Sequence, residues 1–337
     1  MIILAKKKRF KHHNMSKYIF FLLFIVFSLP SKGQVAKGKK GNFALTNATL
    51  ETITNGIIQN GTLLIRNGKI ADIGREVTIP VDFKKIDCKG LTVYPGLIDS
   101  GTRLGLSEIG SISLTQDYNE VGDITPQMRA LTAVNPNSVS IPITRTNGVT
   151  TVLTAPNGGT LPGKAALINL HGYSAEQIFA DFEGMVVNFP TSGRRGRWDK
   201  STEEERKKKE DRQLKKLNET WDAAQLYAKI DSAAATNPAN RPVYNPEMAA
   251  MVPVIRGEMP ILLEVNKAAD IEKALKWIEE REVNAILTGV AEGWRVADKI
   301  AAAEVAVLAG PVLRTPTRSS DRYDRPYQHA GLMQQAG

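Results

Sequence analysis

The sequence is poor in cysteine and histidine, with one Cys and four His among 337 residues. Because Cys88 has no second cysteine to pair with, an internal disulfide is excluded. The apolar run Ile19–Leu29 has eleven residues. A membrane span needs about 20, so a stable span is not expected. Basic patches interleaved with aromatic residues are also lacking beyond the N-terminus, which argues against nucleic-acid binding.

Acidic residues are absent from the first forty positions, which carry ten Lys or Arg. The rest of the chain holds 34 bases and 35 acids, so the formal net charge of +9 comes from the N-terminus. A basic stretch, the apolar run and small residues just before Gln34 are the layout of a secretory signal peptide. We expect residues 1–33 to be removed, with Met1 or Met15 as the true start. The mature protein is then exported to a periplasm or to the exterior.

A polar linker at residues 34–42 leads into alternating β-branched residues. Asn-Gly pairs interrupt this alternation at Asn55-Gly56, Asn60-Gly61 and Asn67-Gly68. Both residues of such a pair accept positive φ, so each pair predicts a hairpin turn. Hairpin signals occur in many all-β architectures, so these residues alone do not identify which all-β domain this segment forms.

A long, highly charged helix is predicted near residues 200–235. Thr202 and Glu205 have the spacing of a capping box at its start. Its second half carries an apolar stripe at helical spacing, made of Leu214, Leu217, Trp221 and Ala224. The first half is charged on all sides, which is typical of a solvated helix.

From Met259 onward, apolar strands alternate with helical patterns. Such alternation implies βαβ units and a parallel sheet. With earlier apolar strands near Leu91–Ile98, Val149–Ala155 and Met185–Pro190, the sequence predicts an α/β fold of the (β/α)8-barrel type. The Gly-rich segment Pro156–Gly172 predicts a hairpin-like excursion. A loop that cradles an anion is the less favoured alternative there, because the Gly-Lys-Ser/Thr ending of a phosphate loop is missing.

The stretch Leu91–Gly105, LTVYPGLIDSGTRLG, points to a family. PGLIDSGTRLG resembles the first strand of amidohydrolase-superfamily barrels, in which Pro-Gly-x-x-Asp precedes a His-x-His pair that binds a catalytic divalent metal. The excursion and the run AEGWRVADKIAAAEVAVLAGP resemble the imidazolonepropionase-like branch. The resemblance implies a small β-sandwich portion over residues 43–95. It also implies an incomplete barrel over residues 96–337, with the long charged helix as an insertion.

By resemblance, the activity is hydrolysis of carbon–nitrogen bonds other than peptide bonds, of the cyclic amide or amidine type. In such a barrel a zinc-like divalent metal activates water and an Asp accepts its proton. The sequence stops where the family would enter its eighth strand, which usually carries that Asp. We therefore expect this chain to be truncated or a fragment.

Histidines are missing at the positions that match the family's metal ligands. Gly101 and Arg103 stand where the His-x-His pair belongs. Matching the later strands places Asn266 and Gly289 where two further histidines belong. The resemblance implies that these four positions are vestigial metal-ligand positions, and no cofactor is expected in this segment.

The histidines that are present do not replace this set. His12 and His13 precede the apolar run and are lost on export. His171 and His329 are expected to be surface or satisfied structural residues, because a lone imidazole rarely defines a site.

Polar residues remain at the predicted mouth of the barrel, namely Asp99, Arg103, Glu264, Asn266 and Thr288. One interpretation is a repurposed pocket in which Arg103 pairs with Glu264 and fills the space of a metal. The other is an oxygen-ligand site of Asp99, Glu264 and Asn266, a set that magnesium or calcium accepts. Their proximity is an expectation from the fold alone.

Two hypotheses about function follow. In the first, this segment is a non-catalytic barrel, the N-terminal half of a longer exported hydrolase, with a small-molecule ligand and a catalytic second domain or homologous subunit as partners. In the second, the protein is an active metal-dependent amidohydrolase with an atypical site, or with ligands from a missing C-terminus. Neither hypothesis involves nucleic acid or a stable membrane span.

Overall fold

The structure, a computed structural model, describes residues 41–191, 193, 199–234 and 241–337. The described residues form two compact units, which divide between Tyr94 and Pro95. The predicted signal peptide at residues 1–33 and most of the predicted linker lie outside the described residues, so both stay predictions. No helix within the described ranges combines the length and apolar character needed to cross a membrane.

The described part of the smaller unit, residues 41–94, contains strands and no helix. It contains β1 (Phe43–Glu51), β2 (Ile57–Arg66), β3 (Lys69–Gly74), β4 (Lys84–Asp87) and β5 (Thr92–Val93). These form one five-stranded sheet in the order β3-β2-β1-β4, with β5 beside β1. β1 and β2 pair antiparallel, as do β2 and β3, whereas β4 and β5 run parallel to β1. Cys88 is buried here as a free thiol.

Two of the three Asn-Gly pairs make the predicted turns. Asn55-Gly56 lies in the turn between β1 and β2, and Asn67-Gly68 connects β2 to β3 with φ of 53° and 80°. The hairpin prediction is wrong for Asn60-Gly61, which lies inside β2 where the pairing register with β1 shifts. A Cβ at Gly61 would lie 2.6 Å from Leu50 Cδ1, so glycine there permits close strand approach.

The larger unit contains a second sheet and most of the helices. Its strands are β6 (Leu97–Thr102), β7 (Val149–Thr154), β8 (Gly163–Asn169), β9 (Phe179–Asn188), β10 (Ile261–Val265), β11 (Ala285–Gly289) and β12 (Ala306–Ala309). They form a nearly closed seven-stranded barrel sheet in chain order from β6 to β12. The prediction of an α/β fold with an incomplete barrel, preceded by a separate β portion, is confirmed.

The described helices all belong to the larger unit. They are α1 (Ala130–Ala133), α2 (Ser140–Thr146), α3 (Ala175–Ile178), α4 (Glu203–Ala233), α5 (Pro246–Ile255), α6 (Ala268–Arg281), α7 (Ala297–Ala302) and α8 (Arg325–Gln335). Single 3₁₀ turns occur at Ser113–Thr115 and Gly293–Arg295.

The β7–β8 hairpin confirms the predicted excursion at residues 156–172. β8 pairs antiparallel with both β7 and β9, so β7 and β9 run in the same direction on either side of it. From β9 to β12 all pairing is parallel. The carboxyl ends of these strands therefore meet at one end of the barrel, where functional residues of such folds collect.

The long charged helix exists as predicted. It packs through its apolar stripe and, against expectation, also through Glu210 of the charged first half, which is buried and pairs with Lys273 of α6. Thr202 accepts the N–H of Glu205 while the Glu205 carboxylate accepts the N–H of Thr202, so the capping box is confirmed. Leu217 and Trp221 are buried in the same cluster as Trp277 of α6. The Trp221 and Trp277 rings meet edge to face, with centroids 5.3 Å apart. This contact fixes α4 against the outer layer of the barrel.

We expect Trp221→Ala to lower the free energy of unfolding by about 3–5 kcal/mol, because it leaves a cavity in this cluster. Leu226→Ala is the control on the same helix. The Leu226 side chain is 59% exposed, and its loss should change stability by no more than about 0.5 kcal/mol. Urea denaturation followed by far-ultraviolet circular dichroism measures both. Equal losses of unfolding free energy in the two variants would show that the contact between α4 and α6 does not stabilise α4.

Candidate functional site

A cavity of about 750 Å³ opens at the carboxyl ends of the barrel strands. We call it the mouth cavity. Its apolar lining comes from strand residues such as Leu153, Val186, Leu262 and Leu308. Among the residues singled out from the sequence, its lining includes Asp99, Gly101, Arg103, Glu264, Thr288 and Gly289. The fold thus brings residues from three strand ends, nearly two hundred positions apart in sequence, to one cavity.

Arg103 and Glu264 share this cavity but do not pair. The guanidinium carbon of Arg103 lies 4.2 Å from the centre of the Tyr118 ring. Among the described residues no ion pair joins Arg103 to Glu264, so that expectation is wrong. The physical reason is that two exposed charges gain little by pairing, whereas the ring face attracts the guanidinium directly.

Two of the oxygen donors at the strand ends are engaged within the chain. Asp99 Oδ1 accepts the N–H of Gly101 at 3.1 Å, and Asn266 Oδ1 accepts the N–H of Ala291 at 3.3 Å. Asn266 lines a neighbouring cavity rather than the mouth cavity. In the described part of the chain no three His, Cys, Asp or Glu side chains gather closely enough to hold a metal.

Two of the predicted vestigial positions pack against each other. Gly289 ends β11 with φ of +80°, a conformation that favours glycine. A Cβ on Gly289 would lie 2.7 Å from Asn266 Oδ1, closer than real side chains allow. A Cβ on Gly101, by contrast, would meet no heavy atom within 4 Å. The backbone thus accepts a side chain at 101 and resists one at 289.

A second cavity of about 730 Å³ adjoins the mouth cavity, and Glu264 and Asn157 line both. We call it the α4 cavity, because Lys209 and Gln213 of α4 form part of its wall. Lys267, which precedes α6, lines it as well. Sequence reasoning missed the two α4 residues because a charged helix half is normally solvated on all sides.

A buried carboxylate holds the turn that follows β11. Glu292 is 1% exposed and accepts two hydrogen bonds from Arg318, at 2.7 and 2.6 Å. It also accepts the N–H of Ala268 at the start of α6, at 3.1 Å. Burial alone would raise the pKa of Glu292, but Arg318 and the Ala268 amide hold that pKa below its ordinary value. Sequence reasoning used Glu292 only for alignment and missed this role.

The two remaining histidines lie away from both cavities. His171 is exposed, as predicted, with its ring 6.5 Å from that of Tyr173. His329 on α8 is buried, and neither of its ring nitrogens has a hydrogen-bond partner among the described residues. The expectation of a surface or satisfied histidine is therefore wrong for His329. Burial and the nearby charge of Arg314 lower its pKa, so the imidazole is held neutral.

No protein-family profile matches the sequence. The chain is 36% identical over 73 residues to imidazolonepropionase of Brucella anthropi, covering 19% of this chain and 18% of that protein. It is 41% identical over 68 residues to imidazolonepropionase of Vibrio cholerae, covering 19% of this chain and 17% of that protein. The matched parts thus span less than a fifth of these curated relatives' lengths.

A solved amidohydrolase structure from Thermotoga maritima MSB8 superimposes with a TM-score of 0.75 at 23% sequence identity. The match covers 88% of this chain and 76% of that one. At this identity the likeness shows the fold. Together with the curated relatives it confirms the resemblance that the PGLID stretch indicated.

We expect Gly289→Ala to lower the free energy of unfolding by about 1–2 kcal/mol, because alanine is strained at this φ and meets Asn266. Gly101→Ala, made at the other end of the same cavity, should leave stability unchanged or slightly raised. Chemical denaturation of both variants provides the measurement. A Gly289→Ala protein as stable as Gly101→Ala would contradict the packing described for Asn266.

We expect Arg318→Met to lower the free energy of unfolding by about 1–2 kcal/mol at neutral pH. The expected loss is no larger because half of the Arg318 side chain is exposed, and solvent weakens its ion pair with Glu292. The folded-state pKa of Glu292 lies below its unfolded value, so this stability is present above about pH 4 and is lost as pH falls through the folded pKa. The difference between wild type and variant should therefore shrink in acid.

The free energies of unfolding of wild type and Arg318→Met, measured from pH 7 down to pH 3, test this dependence on the ionisation of Glu292. Arg322→Met is the matched control, since it removes the same charge from the same loop, where Arg322 pairs with Asp324 in an exposed setting. It should leave stability nearly unchanged. A pH-independent effect of Arg318→Met would refute the electrostatic explanation.

Proposed function

We propose that this chain, which resembles the amidohydrolase superfamily and its imidazolonepropionase-like branch, is the non-catalytic barrel of an exported carbon–nitrogen hydrolase. The observation that carries the proposal is which residues stand at the carboxyl ends of the barrel strands. Gly101, Arg103, Asn266 and Gly289 occupy the places of the family's imidazole ligands. None of the four offers a nitrogen that binds zinc as imidazole does.

The local contacts of these residues support the same proposal. Asp99 and Asn266 are tied to backbone amides, and Arg103 lies on Tyr118. A catalytic metal site would instead keep its donors free and converging on one point. These contacts engage Asp99, Arg103 and Asn266 without a metal ion.

The mouth cavity retains features of a small-molecule pocket. Its inner wall is apolar, while Glu264 and Thr288 present polar groups from adjacent, paired positions of β10 and β11. Binding pockets commonly combine an apolar lining with a few convergent polar groups. We propose a small-molecule ligand for this cavity, with the hydrolytic step carried out by a second domain or homologous subunit.

An active metal-dependent amidohydrolase remains the second candidate. It is favoured by one observation, that the carboxylates of Asp99 and Glu264 line the same cavity at the catalytic end of the barrel. Carboxylate oxygens suit magnesium or manganese better than zinc. In that case the remaining ligands would come from outside the described residues.

Elemental analysis of the chain, purified without chelators, separates the two candidates. We expect far less than one equivalent of zinc, manganese or iron per chain, because the described donors do not converge. In a longer chain that contains this segment, stoichiometric metal should belong to the additional part.

One equivalent of metal retained by this chain, and lost in Asp99→Asn and Glu264→Gln, would overturn the non-catalytic proposal. Glu304→Gln is the control, because it removes an exposed carboxylate of the same unit that lines neither cavity. Loss of metal in all three variants would indicate nonspecific binding and leave the proposal standing.

A further inference from the structure

The α4 cavity contains two lysines without acidic partners. Lys209 belongs to the charged half of α4, and Lys267 precedes the first turn of α6. Neither lysine forms an ion pair within the described residues, although neighbouring lysines do, such as Lys216 with Asp123 and Lys273 with Glu210. Lys267 does act electrostatically on the Asp270 carboxylate, which pairs with Lys273 and does not line the cavity. Two ammonium groups that line one concave space attract an anion.

The acidic side chains of this cavity do not neutralise the lysines. Asp123 is already committed, since its carboxylate accepts the N–H and hydroxyl of Thr160 and pairs with Lys216 at 3.3 Å. Glu264 lies at the border with the mouth cavity, which it also lines. With Asp123 paired, Lys209 and Lys267 outnumber Glu264, so the lining carries an excess of positive charge.

A glycine loop also lines the α4 cavity. Gly158 and Gly159 have φ of +91° and +56°, and a Cβ on Gly158 would lie 1.9 Å from Asn119 Oδ1. Asn188 donates to both of their carbonyls, at 3.2 and 2.8 Å. The amides of both glycines donate to no other group among the described residues. A rigid glycine loop with unused N–H groups is a common element of anion sites.

We propose that the α4 cavity binds the oxyanion of a small molecule, a phosphate or a carboxylate, between Lys209 and Lys267. Charge-assisted hydrogen bonds from the two ammonium groups supply most of the affinity. Gln213 and the glycine amides complete the donor set. This site uses the helix insertion and does not depend on whether the barrel hydrolyses a substrate.

Isothermal titration of the full chain with inorganic phosphate, and separately with acetate, at constant ionic strength tests the proposal. We expect one equivalent of saturable binding for at least one of the two anions. Lys209→Met and Lys267→Met should each weaken that binding about tenfold, the loss expected for one charge-assisted contact.

Lys207→Met is the matched control, because it removes the same charge from the same turn of α4, at an exposed position that does not line the cavity. The Lys207→Met protein should bind the anion with the same affinity as the unmodified chain. Saturable binding of phosphate alone or of acetate alone identifies the oxyanion class. Absence of saturable binding of both anions, or equal weakening in all three variants, would overturn the site.

Discussion

Burial of the barrel strands on both faces decides where polar chemistry can lie in the larger unit. In β10, Ile261, Leu263 and Val265 pack into the core that includes the helices, while Leu262 packs inside the barrel. Glu264 is the first exposed side chain along this strand. In parallel barrels, polar functional residues collect at the carboxyl ends of the strands. Both cavities lie there for this reason.

Contacts within the chain engage several polar side chains at the strand ends. The Asp99 side chain accepts the N–H of Gly101, two residues away, and the Asn266 side chain accepts the N–H of Ala291 in the turn that follows β11. The Arg103 guanidinium lies against the Tyr118 ring. Glu292 adds a buried ion pair that ties the turn after β11 to α6 and to the loop that carries Arg318. These contacts tie the polar side chains at the mouth to the surrounding loops.

The sequence predicts those features that short-range chemistry determines. The Thr202 capping box, the Leu217–Trp221 stripe and the turn at Asn67-Gly68 depend on neighbours a few positions apart, and each is found. Asn60-Gly61 fails as a turn signal because pairing with β1, set by residues ten positions earlier, continues through it. The cation–π contact of Arg103 and the ion pair of Glu292 with Arg318 depend on the conformations of loops. The periodicity of apolar residues in the sequence does not predict loop conformations.

The contact between Gly289 and Asn266 restricts the mutational paths open to this barrel. A histidine placed at 289 must overcome both a left-handed backbone and the amide of residue 266. Replacing Asn266 first removes the acceptor for the Ala291 amide and loosens the turn that contains Glu292. Each single step costs stability before any ligand is gained. Such epistasis acts as a ratchet, because the order in which the two positions change decides how much stability is lost on the way.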